Sequence, residues 1–222
     1  MERHMDQELK ELNIEILRMG AYAEEAIYKS IEALKNRDRG MAQAVVDADK
    51  FVDKLELEVD ERCIDLIARY QPMAKDLRII ATAMKINSEL ERIADIAVDI
   101  AQRTLEIVDK PFLKPLVDIP KLTALAQGMV RMAIDAFIKG DIESAKKVAL
   151  SDSEADRLRN AIQKELIEDY MVKDASTAPR AVQLLLIARF LERICDHTTN
   201  IAEDVIYMVQ AEVVKHHPEK LK

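Results

Sequence analysis

The stretch Glu89-Leu-Glu-Arg-Ile-Ala-Asp-Ile-Ala-Val-Asp99 returns in nearly the same letters as Leu191-Glu-Arg-Ile-Cys-Asp-His-Thr-Thr-Asn200. In each copy three oxygen-bearing side chains stand four residues apart: Glu91, Asp95 and Asp99, then Glu192, Asp196 and Asn200. That spacing stacks side chains along one face of a helix. A helix with one polar face buries the opposite one, and Leu90, Ile93, Ala97 and Ile100 supply it.

The same three-and-four periodicity extends along the chain. Leu9, Leu12, Ile16, Met19, Ala23 and Ile27 predict a first helix from about Met5 to Asn36. A second runs from about Gly40 to Tyr70, with Ala42, Val45, Val52, Leu55, Val59, Ile64 and Ile67 on its core side, and Asp38 is placed to cap it. Pro72 stops it. A third helix, from about Ala74 to Asp109, carries Leu77, Ile80, Ala81, Met84 and Leu90; at ~1.5 Å per residue it is roughly 50 Å long, too long for a globin-like packing. Pro111, Pro115 and Pro120 then interrupt the pattern, so residues 111–120 are a connector.

Beyond the connector the pattern repeats, with helices expected at about Lys121–Lys139, Ile142–Lys173 and Thr177–Val214, and a polar tail. Asp38, Val45, Asp49, Asp53 and Val59 match Asp141, Val148, Asp152, Asp156 and Ile162 at a constant offset of 103. For the third helix against the sixth the offset is 101, the difference falling in a loop where two residues are lost without disturbing either helix. Register kept inside helices and broken between them marks an internal duplication. The fold expected is all-α, two tandem three-helix antiparallel bundles, residues 1–110 and 121–222.

Composition agrees: four Gly, six Pro and no Trp in 222 residues favour helices. A net charge of −8 without a basic run excludes a phosphate backbone as the main partner. Cys63 and Cys195 form no CxxC pair and read as buried thiols in a reducing compartment, the cytoplasm. No run approaches the ~18 apolar residues of a membrane span.

The duplication sets four carboxylate pairs at matched places: Asp49 with Asp53 and Glu91 with Asp95, then Asp152 with Asp156 and Glu192 with Asp196. If the second and third helices of each bundle lie side by side, four carboxylates meet on one surface per repeat. Like charges ~6 Å apart cost on the order of 3 kcal/mol per pair at an effective dielectric of ~20. Something positive must sit there. Hard cations such as magnesium, manganese, calcium or iron suit oxygen donors; alternatively Arg92 and Arg193 form ordinary ion pairs with their neighbours. His197, opposite Ile96, reads as a capped or solvent-facing histidine, Cys195 as a small core residue, and Met129, Met132 and Met171 as core filling.

No activated nucleophile, phosphate loop or CxxC ligand set is visible. Di-iron bundles place His three residues after Glu, where this chain has Ala94 and Cys195. The competing readings are a carboxylate-bridged metal oxidase or phosphohydrolase, and a metal-free interaction module with solvated acidic faces.

With ELERIADIAVDIA in the third helix, LERICDHTTNIAEDVIYMVQ in the sixth, and DxxxD pairs at Asp49 and Asp152, the chain resembles the PhoU family over nearly its whole length. It departs from the family pattern at Ala94 and Cys195, where glycine usually precedes the aspartate. The resemblance implies a cytoplasmic, non-catalytic negative regulator of phosphate homeostasis that forms dimers. Its implied partners are the ATPase of the phosphate ABC transporter and a sensor histidine kinase. It also implies iron, zinc, manganese or magnesium, singly or in clusters, held at Asp49, Asp53, Glu91, Asp95, Asp99, Asp152, Asp156, Glu192, Asp196 and Asn200.

Overall fold

Six helices account for almost all of residues 4–215, which the computed structural model describes. They are α1 (His4–Asn36), α2 (Arg39–Tyr70), α3 (Lys75–Ile107), α4 (Asp118–Lys139), α5 (Ile142–Glu165) and α6 (Ala178–Gln210). The tail histidines His216 and His217 lie outside the described residues. Helices α1–α3 form one antiparallel bundle and α4–α6 the other; α3 packs along α6 and α1 along α4. The all-α, duplicated architecture read from the sequence is the one observed, and no strand occurs among the described residues.

Matched turns start the second helix of each bundle. Asp38 accepts the Met41 N–H at 2.9 Å, and Asp141 accepts those of Glu143 and Ser144 at 3.1 and 3.2 Å. These bonds satisfy donors that the first helical turn leaves without partners. The preceding residue is left-handed in both turns, Gly140 at φ 63° and Arg37 at φ 54°. Glycine adopts that region freely; arginine does so at a cost of about 1–2 kcal/mol. Arg37 is held there by the bond from its Nε to the Val108 carbonyl at 2.9 Å and by its guanidinium over the Phe112 ring.

Three boundaries differ from expectation. Helix α4 begins at Asp118 instead of Lys121, because Pro120 falls in its first turn, where a missing N–H costs nothing. Helix α5 gives way at Leu166–Met171 to a π-helical turn, in the stretch where the repeat offset changes. Helix α6 ends at Gln210, four residues short of Val214: Ala211 turns left-handed, its N–H bonds the Tyr207 carbonyl, and the chain bends back to bury Val214.

One continuous apolar core serves both bundles, with Leu12, Ile16, Ile86 and Leu90 from the first and Leu122, Ile162 and Leu166 from the second. Ile64, Leu77, Ala81 and Met132 were expected inside but are exposed. In α2 the 3.6-residue period carries the buried line through Val59, Cys63 and Leu66, which turns Ile64 outward. Cys63 and Cys195 are both buried, unbridged thiols. Close approach of α1 to α4 depends on Gly20, where an added Cβ would stand 2.1 Å from the Ile134 Cδ1. Polar contacts line the seam between the repeats: Arg131 bonds Glu24 at 2.7 Å, Lys85 bonds Asp204 at 2.8 Å, and His197 Nδ1 meets Glu89 at 2.6 Å. No helix among the described residues is long and apolar enough to cross a membrane.

Candidate metal centre

On the first bundle, α2 and α3 run side by side and bring Asp49 and Asp53 against Asp95. One carboxylate oxygen from each of the three lies within 4.8 Å of the other two. Glu56 follows Asp53 by three residues on α2, and Glu91 and Asp99 flank Asp95 by one turn on either side of α3. The Asp49 Oδ1 is buried without a hydrogen-bond partner. Asn87, fully buried below this face, donates to the Glu56 carbonyl at 2.8 Å and to Asp60 at 3.1 Å, tying α3 to α2.

Proton affinities record the crowding. Burial, then the neighbouring charges of Asp95, Glu56 and Asp53, push Glu91 up to about 7 against a weaker opposing pull from Arg92. Burial, then Asp49, Asp53 and Asp99, push Asp95 up to about 6. Asp49 is raised by burial and by Asp53 and Asp99, although the adjoining Asp95 carboxyl works the other way. Glu56 is raised by burial, Asp60 and Asp53. These are the marks of carboxylates lacking a counter-ion. A cation held by oxygen ligands from Asp49, Asp53 and Asp95 fits the donor chemistry and the convergence of the three oxygens; the orphaned Asp49 oxygen has a counterpart in the equally orphaned Asp152 Oδ1 of the second repeat.

The second face is built on the same frame but is neutralised differently. Glu192 is 4% exposed, and its Oε1 accepts Arg159 Nη2 at 3.2 Å and Arg189 Nη1 at 2.5 Å. Arg159 Nη2 also reaches Asp156 at 3.3 Å. Burial first, then Glu192 and Asp152, push Asp196 up to about 6, with Arg189 opposing. Asp152 is raised by burial and Asp156, with the nearby Thr199 hydroxyl pulling the other way. Asn200 turns toward the seam and donates to Glu89 at 3.4 Å. Among the described residues no trio of acidic, histidine or cysteine ligand atoms closes here as it does around Asp95.

Arg92 and Arg193, the alternative partners of Asp95 and Asp196, pair with neither; on the second face Arg159 and Arg189 pair instead with Glu192, and Arg159 also with Asp156. Arg159 stands 103 residues after Glu56, so the repeat alignment already held the signal, though a search for carboxylates passes over it. His197, expected capped or facing solvent, is instead half-buried against Glu89, whose carboxyl is drawn below its ordinary value by that bond although burial opposes it.

The family model described as "PhoU domain" matches the chain twice, at residues 16–104 and 119–205. The chain belongs to the PhoU family. A "Phosphate-specific transport system accessory protein PhoU homolog" of Aquifex aeolicus (strain VF5) is 39% identical over 97% of this chain and 97% of its own length. The PhoU protein of Escherichia coli (strain K12), described as a phosphate-specific transport system accessory protein, is 33% identical over 94% of this chain and 86% of its own. The crystal structure of PhoU from Pseudomonas aeruginosa superposes with a TM-score of 0.89 at 34% identity, covering 94% of this chain and all of that one. That of the phosphate transport system regulatory protein PhoU from Streptococcus pneumoniae gives 0.88 at 28% identity. Each PhoU domain match spans both carboxylate-bearing helices of its bundle.

Proposed function

We propose that this PhoU-family chain is an accessory protein of phosphate transport that acts by binding. It takes a divalent or trivalent cation on its first acidic face and carries the signal to partners. The observation that carries the cation is the convergence of Asp49, Asp53 and Asp95 oxygens within 4.8 Å. Glu91 and Asp99 complete the ligand field. Bound metal here screens carboxylates that otherwise repel one another, locking α2 against α3.

Relatives named as phosphate-specific transport system accessory proteins support a place beside the phosphate transporter. To this we add a cytoplasmic homodimer that contacts the transporter ATPase and a phosphate-responsive sensor kinase. In that role it damps uptake and the starvation response when phosphate is plentiful. It needs no chemistry of its own: the side chains at the face are acceptors of a cation, with no nucleophile paired to a base.

Elemental analysis of the purified chain, set beside an Asp53→Asn/Asp95→Asn variant of equal helical content, tests the cation. Metal in the first and not in the second is the expected result; equal metal content removes the assignment. Affinity capture from cells at high and low phosphate tests the partners, and the expected outcome is recovery of transporter ATPase and sensor kinase at high phosphate.

A further inference from the structure

The duplicated frame makes the two acidic faces comparable residue by residue, and three differences all run in one direction. Glu56 on the first face corresponds to Arg159 on the second, Ser88 to Arg189, and Asp99 to Asn200. The first face thus assembles Asp49, Asp53, Glu56, Glu91, Asp95 and Asp99, and among the described residues no arginine forms an ion pair with any of them. The second keeps four carboxylates, loses two negative charges, at Arg159 and Asn200, and gains two guanidinium groups.

Arg159 is set into the face itself, whereas Arg189 lies half-exposed at its edge. The Arg159 side chain is about three-quarters buried, and its Nη2 lies between Asp156 on α5, at 3.3 Å, and Glu192 on α6, at 3.2 Å. Its Nη1 is tied to the Asn160 side chain at 2.6 Å. Arg189 reaches the same Glu192 oxygen at 2.5 Å from the other side. Glu192 is more than nine-tenths buried, and its second oxygen, Oε2, has no partner. Arginine is the side chain that does not release its proton near neutral pH, so these contacts place permanent positive charge within the face.

We propose that Arg159 is a tethered counter-ion that occupies, between α5 and α6, the place an external cation takes between α2 and α3, so that the second face is closed to metal and the chain binds metal on one face only. This rests on the cation reading of the first face. A metal ion entering beside Glu192 would meet two fixed positive charges and find the Glu192 Oε1 already shared by them. The second face holds α5 to α6 whether or not metal is present, whereas the first face holds α2 to α3 in a way that depends on supply. The duplication therefore separates a constant brace from a responsive one.

Manganese binding to metal-stripped full-length protein tests this, by equilibrium dialysis with elemental analysis and by paramagnetic broadening of NMR signals. In the wild-type chain manganese is expected to broaden the signals of Val98, beside Asp99, more strongly than those of Thr199, its counterpart beside Asn200. Equal broadening at both places overturns the proposal. Asp53→Asn/Asp95→Asn is expected to weaken binding by at least about tenfold, the scale on which even outer partners of a metal site act. Adding Arg159→Glu, which installs the Glu56 residue type, is expected to restore it by at least about tenfold. Failure of Arg159→Glu to restore binding in a chain of wild-type helicity overturns the proposal. If that variant loses helicity, Arg159→Gln, which keeps the length and removes the charge, decides in its place. A wild-type chain that binds no manganese while the Arg159 variant does would remove the first-face reading and leave the role of Arg159 standing; binding by no variant removes both.

Discussion

Raising the pH of the metal-free protein should lower its stability, the reverse of the usual behaviour of a carboxylate-rich chain. Glu91 moves from 4.5 to about 7 on folding, and Asp95 and Asp196 from 3.8 to about 6. A carboxyl with a raised folded-state pKa favours the fold while it is protonated. That contribution is full below the unfolded pKa and is lost as pH rises through the folded one. Each unit is nominally ~1.4 kcal/mol. All three side chains keep substantial contact with solvent, so a roughly threefold discount for screening is warranted. From pH 4.5 to 8 the three together then cost about 2 kcal/mol, or roughly 4–8 °C in Tm for a chain of this size. Carboxyls held below their ordinary values, such as Glu89 and Asp141, act in the opposite sense but only below about pH 4.5, outside the window. Thermal melts of EDTA-treated protein by circular dichroism, every half unit of pH, provide the assay. Glu91→Gln should remove roughly a third of the slope, and added manganese should flatten much of the rest by binding the folded form. A Tm that is constant or rises from pH 4.5 to 8 would refute the electrostatic account of both faces.

Other consequences follow from the packing. Gly20→Ala places a methyl 2.1 Å from the Ile134 Cδ1 in a buried seam and should cost about 1–3 kcal/mol in chemical denaturation, with Ile134→Val recovering part of it. Asp141→Ala removes the acceptor for two backbone N–H groups and a serine hydroxyl at the start of α5, and should lower the denaturation midpoint in the same assay. Burial pushes the Cys63 thiol up to about 12 and Cys195 higher still, with nearby carboxylates adding to both, so neither should react with a thiol reagent at pH 8 until the chain is unfolded.

Periodicity and self-comparison were enough to read the helices, the turns capped by Asp38 and Asp141, and the duplication, because each rests on local rules that leave a trace in residue order. Which carboxylates meet was legible only as far as register allowed. Asp49, Asp53 and Asp95 share matched places on neighbouring helices, and those places converge. What neutralises them was not legible. Arg92 and Arg193 are the nearest basic residues in sequence, yet proximity along a helix does not aim a guanidinium. Arg159 reaches Glu192 from another helix, 33 residues away. Likewise Glu89 and His197 lie 108 residues apart and meet only because α3 packs on α6. Long side chains crossing between helices are set by tertiary packing, and single-helix spacing carries no record of them.

The shared core has a bearing on how the two faces came to differ. Because α1 lies on α4 and α3 on α6, one repeat covers the apolar side of the other much as two separate subunits would in a two-fold dimer. Two copies of a single-repeat chain in that arrangement would be obliged to carry the same residue at both places, glutamate twice or arginine twice. Joining the repeats through residues 108–117 lifts that obligation: Glu56 and Arg159 stand at equivalent positions of one polypeptide, and a mutation at either leaves the other untouched.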